Sequence, residues 1–350
     1  MISFMDKIKI AQIGCGYWGP NLLRNFHQLP NAEVVMVAEA SADRRKFVER
    51  GFPGVRTVAT AGEVFASPEI QAVVIATPAF THHAMAMAAL RAGKHVFVEK
   101  PLSTNVADAE EILSYGSKHG LTVMAGHTFL YNPAVRRLKE IVESGELGEL
   151  YYIYSQRLNL GQLRSDVNAW WNLAPHDVSI LVYLLNATSA CQVTATGMDY
   201  IQPGVEDVVF ATMKWSSGAV GQVHVSWLDP GKVRKMTLVG SRKMIVYDDM
   251  ADNKLTIFDK GFDKIPRLGD QMSFDQTGRP DVKMRSGDIH MPFISGEEPL
   301  KAEAKHFVEC IQTGAAPLSG GDHALQVVAL LEAGERSLKE RRSVEYLPKL

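Results

Sequence analysis

The sequence predicts an α/β protein built from two domains, and three observations carry that expectation. Through the first third of the chain, short β-branched runs alternate with helical stretches. Alternation of this kind makes βαβ units and a parallel sheet buried on both faces. A glycine-rich turn, Gly14-Cys15-Gly16-Tyr17-Trp18-Gly19, stands between the first of these strands and the first helix. From Gln192 onward the texture changes to strands. The 350 residues also exceed the ~250 at which single cores tend to split. The domains are expected at 1–125 and 126–350.

Taken in order, Lys7–Ile13 reads as a strand, Pro20–Gln28 as a helix, Glu33–Ala38 as a strand and Asp43–Arg50 as a helix. The nearly all-apolar run Gln71–Ala76 is a strand, His82–Ala92 a helix, His95–Val98 a strand, Val106–Lys118 a helix and Leu121–Ala125 a strand. Pro133–Ser144 is amphipathic and ends at Gly145, a helix stop. A second helix is expected over Ala174–Leu185. In Val220–Leu228, Val223, Val225 and Trp227 alternate with Gln222, His224 and Ser226, as in an antiparallel strand with one face on a core. Gly261–Pro299 shows little pattern and reads as a long functional loop or arm. Helices return at Ala302–Thr313 and Ala324–Glu340.

Composition narrows the function class. A formal net charge of −2 leaves no electrostatic footprint for nucleic acid. No apolar run approaches the ~18–20 residues of a membrane span, and Met1–Lys7 lacks the basic flank and apolar core of a signal peptide. Cys15, Cys191 and Cys310 are odd in number and far apart, which suits a reducing cytosol, so a cytoplasmic protein is expected. Cys-x-x-Cys and His-Glu-x-x-His are absent, and no metal is expected.

The chemistry starts at Gly14, Gly16 and Gly19. Glycines at these positions allow a tight turn, close approach of backbone to a pyrophosphate, and tight helix–strand packing, with the phosphate charge on the helix N-terminus. Glu39 follows the second strand, twenty residues after Gly19, where an acid accepts hydrogen bonds from the adenosine ribose and repels a 2′-phosphate. NAD is therefore the expected cofactor, although Arg44 and Arg45 stand close enough to serve a phosphate. Thr77-Pro78 ends one apolar strand and Glu99-Lys100-Pro101 another, and in open parallel sheets ligands lie at such ends. By spacing alone Lys100 reads as a surface lysine and His82 as a surface histidine on a helix's first turn. His176, at an expected helix start after Pro175, reads equally as a capping or core residue.

Together, Gly14–Gly19, Thr77-Pro78 with His82, the run Ala92-Gly93-Lys94-His95-Val96-Phe97-Val98-Glu99-Lys100-Pro101-Leu102, and Gly126-His127 with Asn132-Pro133 resemble the Gfo/Idh/MocA family of oxidoreductases. The motif match spans residues 8–186. The resemblance implies a Rossmann domain followed by an α/β domain on a large, mostly antiparallel open sheet, through which homodimers or homotetramers form. It implies cofactor contacts from Gly14, Gly16, Tyr17, Trp18, Gly19, Glu39, Thr77, Pro78, His82, Glu99 and Lys100. It makes Lys100 and His176 the catalytic pair, on a substrate also lined by His127, Tyr131 and Asn172. The family's Asp-x-Gly-x-His pattern is broken here: the aspartate is Asn172 and the glycine Ala174. Asp177 is the neighbouring carboxylate.

Gly-Tyr-Trp-Gly-Pro-Asn-Leu with Leu-Ala-Pro-His-Asp is similar to a branch of the family that serves nucleotide sugars in surface-polysaccharide synthesis. Arg157, Arg164 and Asn168 suit an anionic or polyhydroxyl ligand of that kind, and surface salt bridges equally well. Tyr131 and Trp170 read as site lining or as aromatic core. The expected activity is reversible hydride transfer between NAD and a secondary hydroxyl or ketone of a sugar. The alternatives are a free-sugar or inositol dehydrogenase and a non-catalytic NAD-binding protein.

Overall fold

The computed structural model describes residues 7–161, 163–186, 189–264 and 282–347. The chain divides into two compact units. The first is Met1–Asn132, Val178–Tyr183 and Gly296–Glu335; the second is Pro133–Asp177, Leu184–Ser295 and Arg336–Leu350.

The first unit begins β1 (Ile8–Ile13), α1 (Gly19–His27), β2 (Ala32–Ala38), α2 (Ala42–Gly51), β3 (Arg56–Val58), α3 (Ala61–Ala66) and β4 (Ala72–Ile75). It continues α4 (His82–Arg91), β5 (His95–Glu99), α5 (Val106–Lys118) and β6 (Val123–Gly126). Every pairing is parallel, in the order β3-β2-β1-β4-β5-β6. This is the strand order of a doubly wound dinucleotide-binding sheet, with its switch point beside β1. Period-two alternation sends Ala72 and Val74 to one core with Leu22, Phe26 and Phe97, and Val73 and Ile75 to another with Ala86, Leu90 and Ile112. The short β3 and α3 were not expected. β3 has three residues and pairs with β2 alone, too little for a periodic signal.

The second unit begins α6 (Pro133–Glu143), β7 (Leu150–Leu158), α7 (Ala169–Leu185), β8 (Cys191–Met198), β9 (Val208–Trp215) and β10 (Val220–Ser226). Then come β11 (Val233–Gly240), β12 (Met244–Asp248), β13 (Leu255–Lys264) and β14 (Val282–His290). After α8 (Pro299–Thr313) and α9 (Gly321–Glu340), β15 (Val344–Tyr346) closes the edge beside β8. Among the described residues these strands make one nine-stranded sheet, β14-β13-β12-β11-β7-β10-β9-β8-β15. β7 and β10 run parallel; the other neighbours are antiparallel.

Three expectations are revised. The stretch read as a patternless arm, Gly261–Pro299, contains the end of β13 and all of β14, paired with each other; residues 265–281 lie outside the described ones. α7 starts at Ala169, five residues before the expected Ala174, because Asn168 caps it: Asn168 Oδ1 accepts from Trp171 N at 3.1 Å. Pro175 is thereby inside the helix instead of in its first turn. Residues 296–335 do not join the second unit. The apolar face of α8, Leu300, Ala304, Phe307, Val308 and Ile311, is buried in the first unit's core. There Phe26, Phe97 and Phe307 meet edge to face with centroids 5.7–6.1 Å apart. No helix among the described residues is long and apolar enough to cross a membrane.

Candidate functional site

One end of the six-stranded sheet gathers the turns and side chains expected of a dinucleotide site. Gly14 has φ +88°, and a Cβ on it would stand 2.6 Å from the Ala76 carbonyl oxygen. A Cβ on Gly19 would stand 2.9 Å from the Gly14 carbonyl oxygen, while Gly16 faces open space. Two glycines thus pack the turn shut and the third leaves backbone approachable, as a pyrophosphate requires. α1 has no side-chain N-cap; Pro20 lacks an N–H and Asn21 N donates to the Trp18 carbonyl at 3.0 Å, and an anion at this end meets the positive pole of the helix dipole. Tyr17 is 88% exposed at the tip of this turn.

Glu39 sits at the end of β2 with both oxygens turned to the loop. Oε2 accepts from Cys15 N at 2.7 Å and Oε1 from Ser41 N at 2.9 Å. The nearby arginines are engaged with backbone: Arg44 donates to the Cys15 carbonyl at 2.8 Å, and Arg45 to the carbonyls of Glu39 and Ala40 at 2.7 Å. These residues fit NAD.

Two strands along, Thr77 Oγ1 lies 2.6 Å from Thr81 Oγ1, and Pro78 caps the short turn Ala79–Thr81. His82 is 1% exposed, not a surface residue, and its two nitrogens reach the carbonyls of Pro101 and Thr77 at 2.7 and 2.9 Å.

At the end of β5, Glu99 Oε2 accepts from Lys100 N at 2.5 Å. Burial pushes the Glu99 carboxyl up to about 7, against the opposing pull of the Lys100 ammonium, the Lys100 N–H and the Trp18 indole. β6 pairs with β5 so that Gly126 faces Glu99, and Lys100 and His127 are consequently the next residues of adjacent strand ends. His127 is 1% exposed with neither ring nitrogen bonded, 5.2 Å edge to face from His323. Burial, then His323 and Lys100, hold it well below the ordinary imidazole range, so it is neutral.

Glu303 and His323 were not anticipated from the sequence. Glu303 is fully buried on the apolar face of α8 and accepts from Thr128 Oγ1 at 2.7 Å. Burial and the Glu99 charge raise its carboxyl well above the usual range. The legible signal was an acid three residues after Leu300 and four before Phe307, on a face that otherwise reads apolar. Tyr131 belongs to the core, 4% exposed, with its hydroxyl 3.3 Å from Ser319 Oγ.

The remaining expected residues lie in the second unit. Asn168 caps α7 and donates to Glu206 at 2.8 Å. Arg157, 5% exposed, is held by Asp177, Nε to Oδ2 at 2.6 Å. Its guanidinium, for which an anionic ligand and a surface salt bridge were equally expected, is committed to a buried ion pair, and Asp177 is committed with it. Arg164 is exposed and makes a two-point pair with Asp166 at 2.6 and 2.8 Å, which lowers the Asp166 pKa. Asn172 Oδ1 accepts from the Trp227 indole at 3.2 Å. His176, half-buried, stands four residues further along the same helix. Trp170 is fully buried.

A 3-2-1-4-5-6 sheet, a glycine turn leading into a helix without a side-chain cap and an acid at the end of β2 define a dinucleotide-binding fold. Comparison with known proteins makes this specific. The chain belongs to the Gfo/Idh/MocA oxidoreductase family: the family's NAD-binding Rossmann-fold model matches residues 8–127, and its C-terminal domain model matches residues 135–246. Myo-inositol 2-dehydrogenase of Thermotoga maritima is 22% identical over 97% of this chain and 98% of its own. The NAD⁺-dependent scyllo-inositol 2-dehydrogenase of Bacillus subtilis is 25% identical over 89% and 88%. Among solved structures, UDP-N-acetylglucosamine 3-dehydrogenase of Acidithiobacillus ferrooxidans superposes with a TM-score of 0.78 at 22% identity, over 96% of this chain and 99% of that one. The protein is an NAD-binding oxidoreductase.

Proposed function

We propose that this protein oxidises a secondary hydroxyl of a sugar or cyclitol, or reduces the matching ketone, and that its substrate is a nucleotide sugar. The observation that carries the reaction class is the place of Lys100. It follows β5, two strands from the glycine turn, at the end of the sheet where a parallel fold binds its ligands. Bound NAD supplies the hydride acceptor or donor. Lys100 holds and polarises the substrate oxygen through its ammonium. His176 takes the hydroxyl proton on a ring nitrogen during oxidation and returns it during reduction. His127 and Asn172 line the substrate. The buried pair Arg157–Asp177 and the cap Asn168 act by holding β7 and α7. Tyr131 supports β6 from the core.

The nucleotide-sugar reading rests on the branch resemblance and on Arg164, whose guanidinium is exposed. A free polyol is the second reading, and the burial of Arg157 favours it by removing one of two cations expected for a diphosphate. The dehydrogenase names of the inositol relatives point the same way. Initial rates with NAD on inositols, hexoses and UDP-sugars, side by side, separate the readings: turnover of free sugars with no gain from the nucleotide would decide for the second. Lys100→Ala and His176→Ala should each lower kcat by ~10²–10⁴-fold with the NADH Kd nearly unchanged. Either variant keeping more than about a tenth of the wild-type rate would remove that residue from the mechanism.

A further inference from the structure

His82 opens α4 and joins two strand ends. Nδ1 stands 2.7 Å from the Pro101 carbonyl oxygen and Nε2 2.9 Å from that of Thr77. Thr77 follows β4 and leans on the glycine turn, since a Cβ on Gly14 would stand 3.0 Å from its Cγ2. Pro101 follows Lys100 at the end of β5. The two strands are paired as far as Ile75 and Val98; past that point the imidazole spans them. A ring with one N–H donates to one carbonyl and merely packs its other nitrogen beside the second, and a doubly protonated ring donates to both. Both nitrogens thus face backbone carbonyls, and at least one of them donates. The ring, 1% exposed, is packed where it ties the turn after Lys100 to the turn beside the phosphate loop.

We infer that His82 is a positioning residue, which sets Lys100 relative to the bound dinucleotide by tying Pro101 to Thr77, and is not itself a cofactor ligand. The inference rests on the role proposed for Lys100. Its physical basis is that misplacement of a reacting group by about 1 Å can cost ~10²-fold in rate, while an apolar side chain here would remove the imidazole N–H that one of the two carbonyls accepts.

The test uses His82→Phe, which keeps an aromatic ring without nitrogens, and His82→Gln, whose amide N–H can still reach one carbonyl. In the full-length protein, three quantities are measured: kcat and KM, the NADH Kd by fluorescence, and the rate at which acetic anhydride labels Lys100, read by peptide mass spectrometry against the exposed Lys118. His82→Phe should lower kcat about 10–100-fold with KM and NADH Kd moved less than about threefold. It should also change Lys100 labelling severalfold with Lys118 labelling unchanged, and His82→Gln should recover part of each loss. NADH binding weakened in proportion to kcat would make His82 a cofactor ligand instead. Wild-type kcat and wild-type Lys100 labelling in a folded variant would leave it a packing residue. If His82→Phe does not fold, the same outcomes in His82→Gln decide. Should the wild type oxidise no polyol, the proposed function fails by itself, and Lys100 labelling still tests the tie.

Discussion

Asn172 and His176 stand one helical turn apart on α7, so their side chains emerge on the same face. The amide oxygen of Asn172 is already a hydrogen-bond acceptor, for the Trp227 indole. A carboxylate can take over that bond, and Asn172→Asp should fold. Its charge would favour the imidazolium of His176 and raise its pKa. The base form would then appear at higher pH, and the onset of oxidation in kcat/KM against pH should move upward. Asp177 does not pre-empt this effect, because its charge is neutralised by Arg157 at 2.6 Å. An unchanged profile would mean that residue 172 does not act on His176; a downward shift would contradict the electrostatics.

At the scale of elements, the same ion pair decides how β7 and α7 are held. Arg157 and Asp177 side chains are 6% and 4% exposed, and removing one partner of such a pair leaves an uncompensated buried charge costing roughly 3–5 kcal/mol. Arg157→Ala should therefore lower the urea midpoint markedly. Arg164→Ala, which breaks an exposed pair, should scarcely move it. On a diphosphate substrate the order reverses for binding: Arg164→Ala should raise KM more than it lowers kcat, because such contacts are shared by ground and transition states. Equal urea midpoints for the two variants would show that the Arg157 pair does not anchor α7.

Two properties belong to the molecule as a whole. The first is the pH dependence of stability, where buried groups of the first unit oppose each other. Glu99 has its carboxyl raised from 4.5 to about 7. Its protonated form therefore favours the folded state, a contribution present below 4.5 and lost as pH rises through about 7. His323 is lowered from 6.5 to about 4, chiefly by burial, and His127 is lowered as well. Their contribution is present above 6.5 and lost as pH falls toward 4. Glu99→Gln removes only the first term, so its stability relative to wild type should decline as pH drops from about 7 to 5. Thermal midpoints that run parallel across that range would show that Glu99 is not raised.

The second is self-association. On the nine-stranded sheet, Tyr152, Tyr154, Gln222, His224 and Phe210 share a solvent face by register, with Phe210 stacked on His224 at 4.1 Å. Among the described residues, Lys214 and, across Gln156, Lys235 bring charge to this face. An aromatic face of low charge suits an isologous interface. A dimer or tetramer is expected in sedimentation velocity, and Tyr152→Glu with Phe210→Glu should dissociate it. A wild-type monomer at micromolar concentration would refute the interface.

The local periodicities of the sequence determined the parallel sheet, the glycine turn, Glu39 and the strand ends that carry Thr77 and Lys100. Each depends on residues close in the chain, and their chemistry is legible there. Long-range packing decided the rest. Helices α8 and α9 read correctly as helices, yet nothing local told that Phe307 would meet Phe26 and Phe97 and carry residues 296–335 back to the first unit. Arg157 read equally as a ligand for an anion or as a surface salt bridge, and its burial against Asp177 was hidden because that partner lies twenty residues away on another element. His82 read as a surface histidine because both its partners are backbone carbonyls, and a carbonyl has no signature in a sequence. Side-chain identity is written residue by residue, whereas burial and the partner of a polar atom are set by which segments the fold brings together.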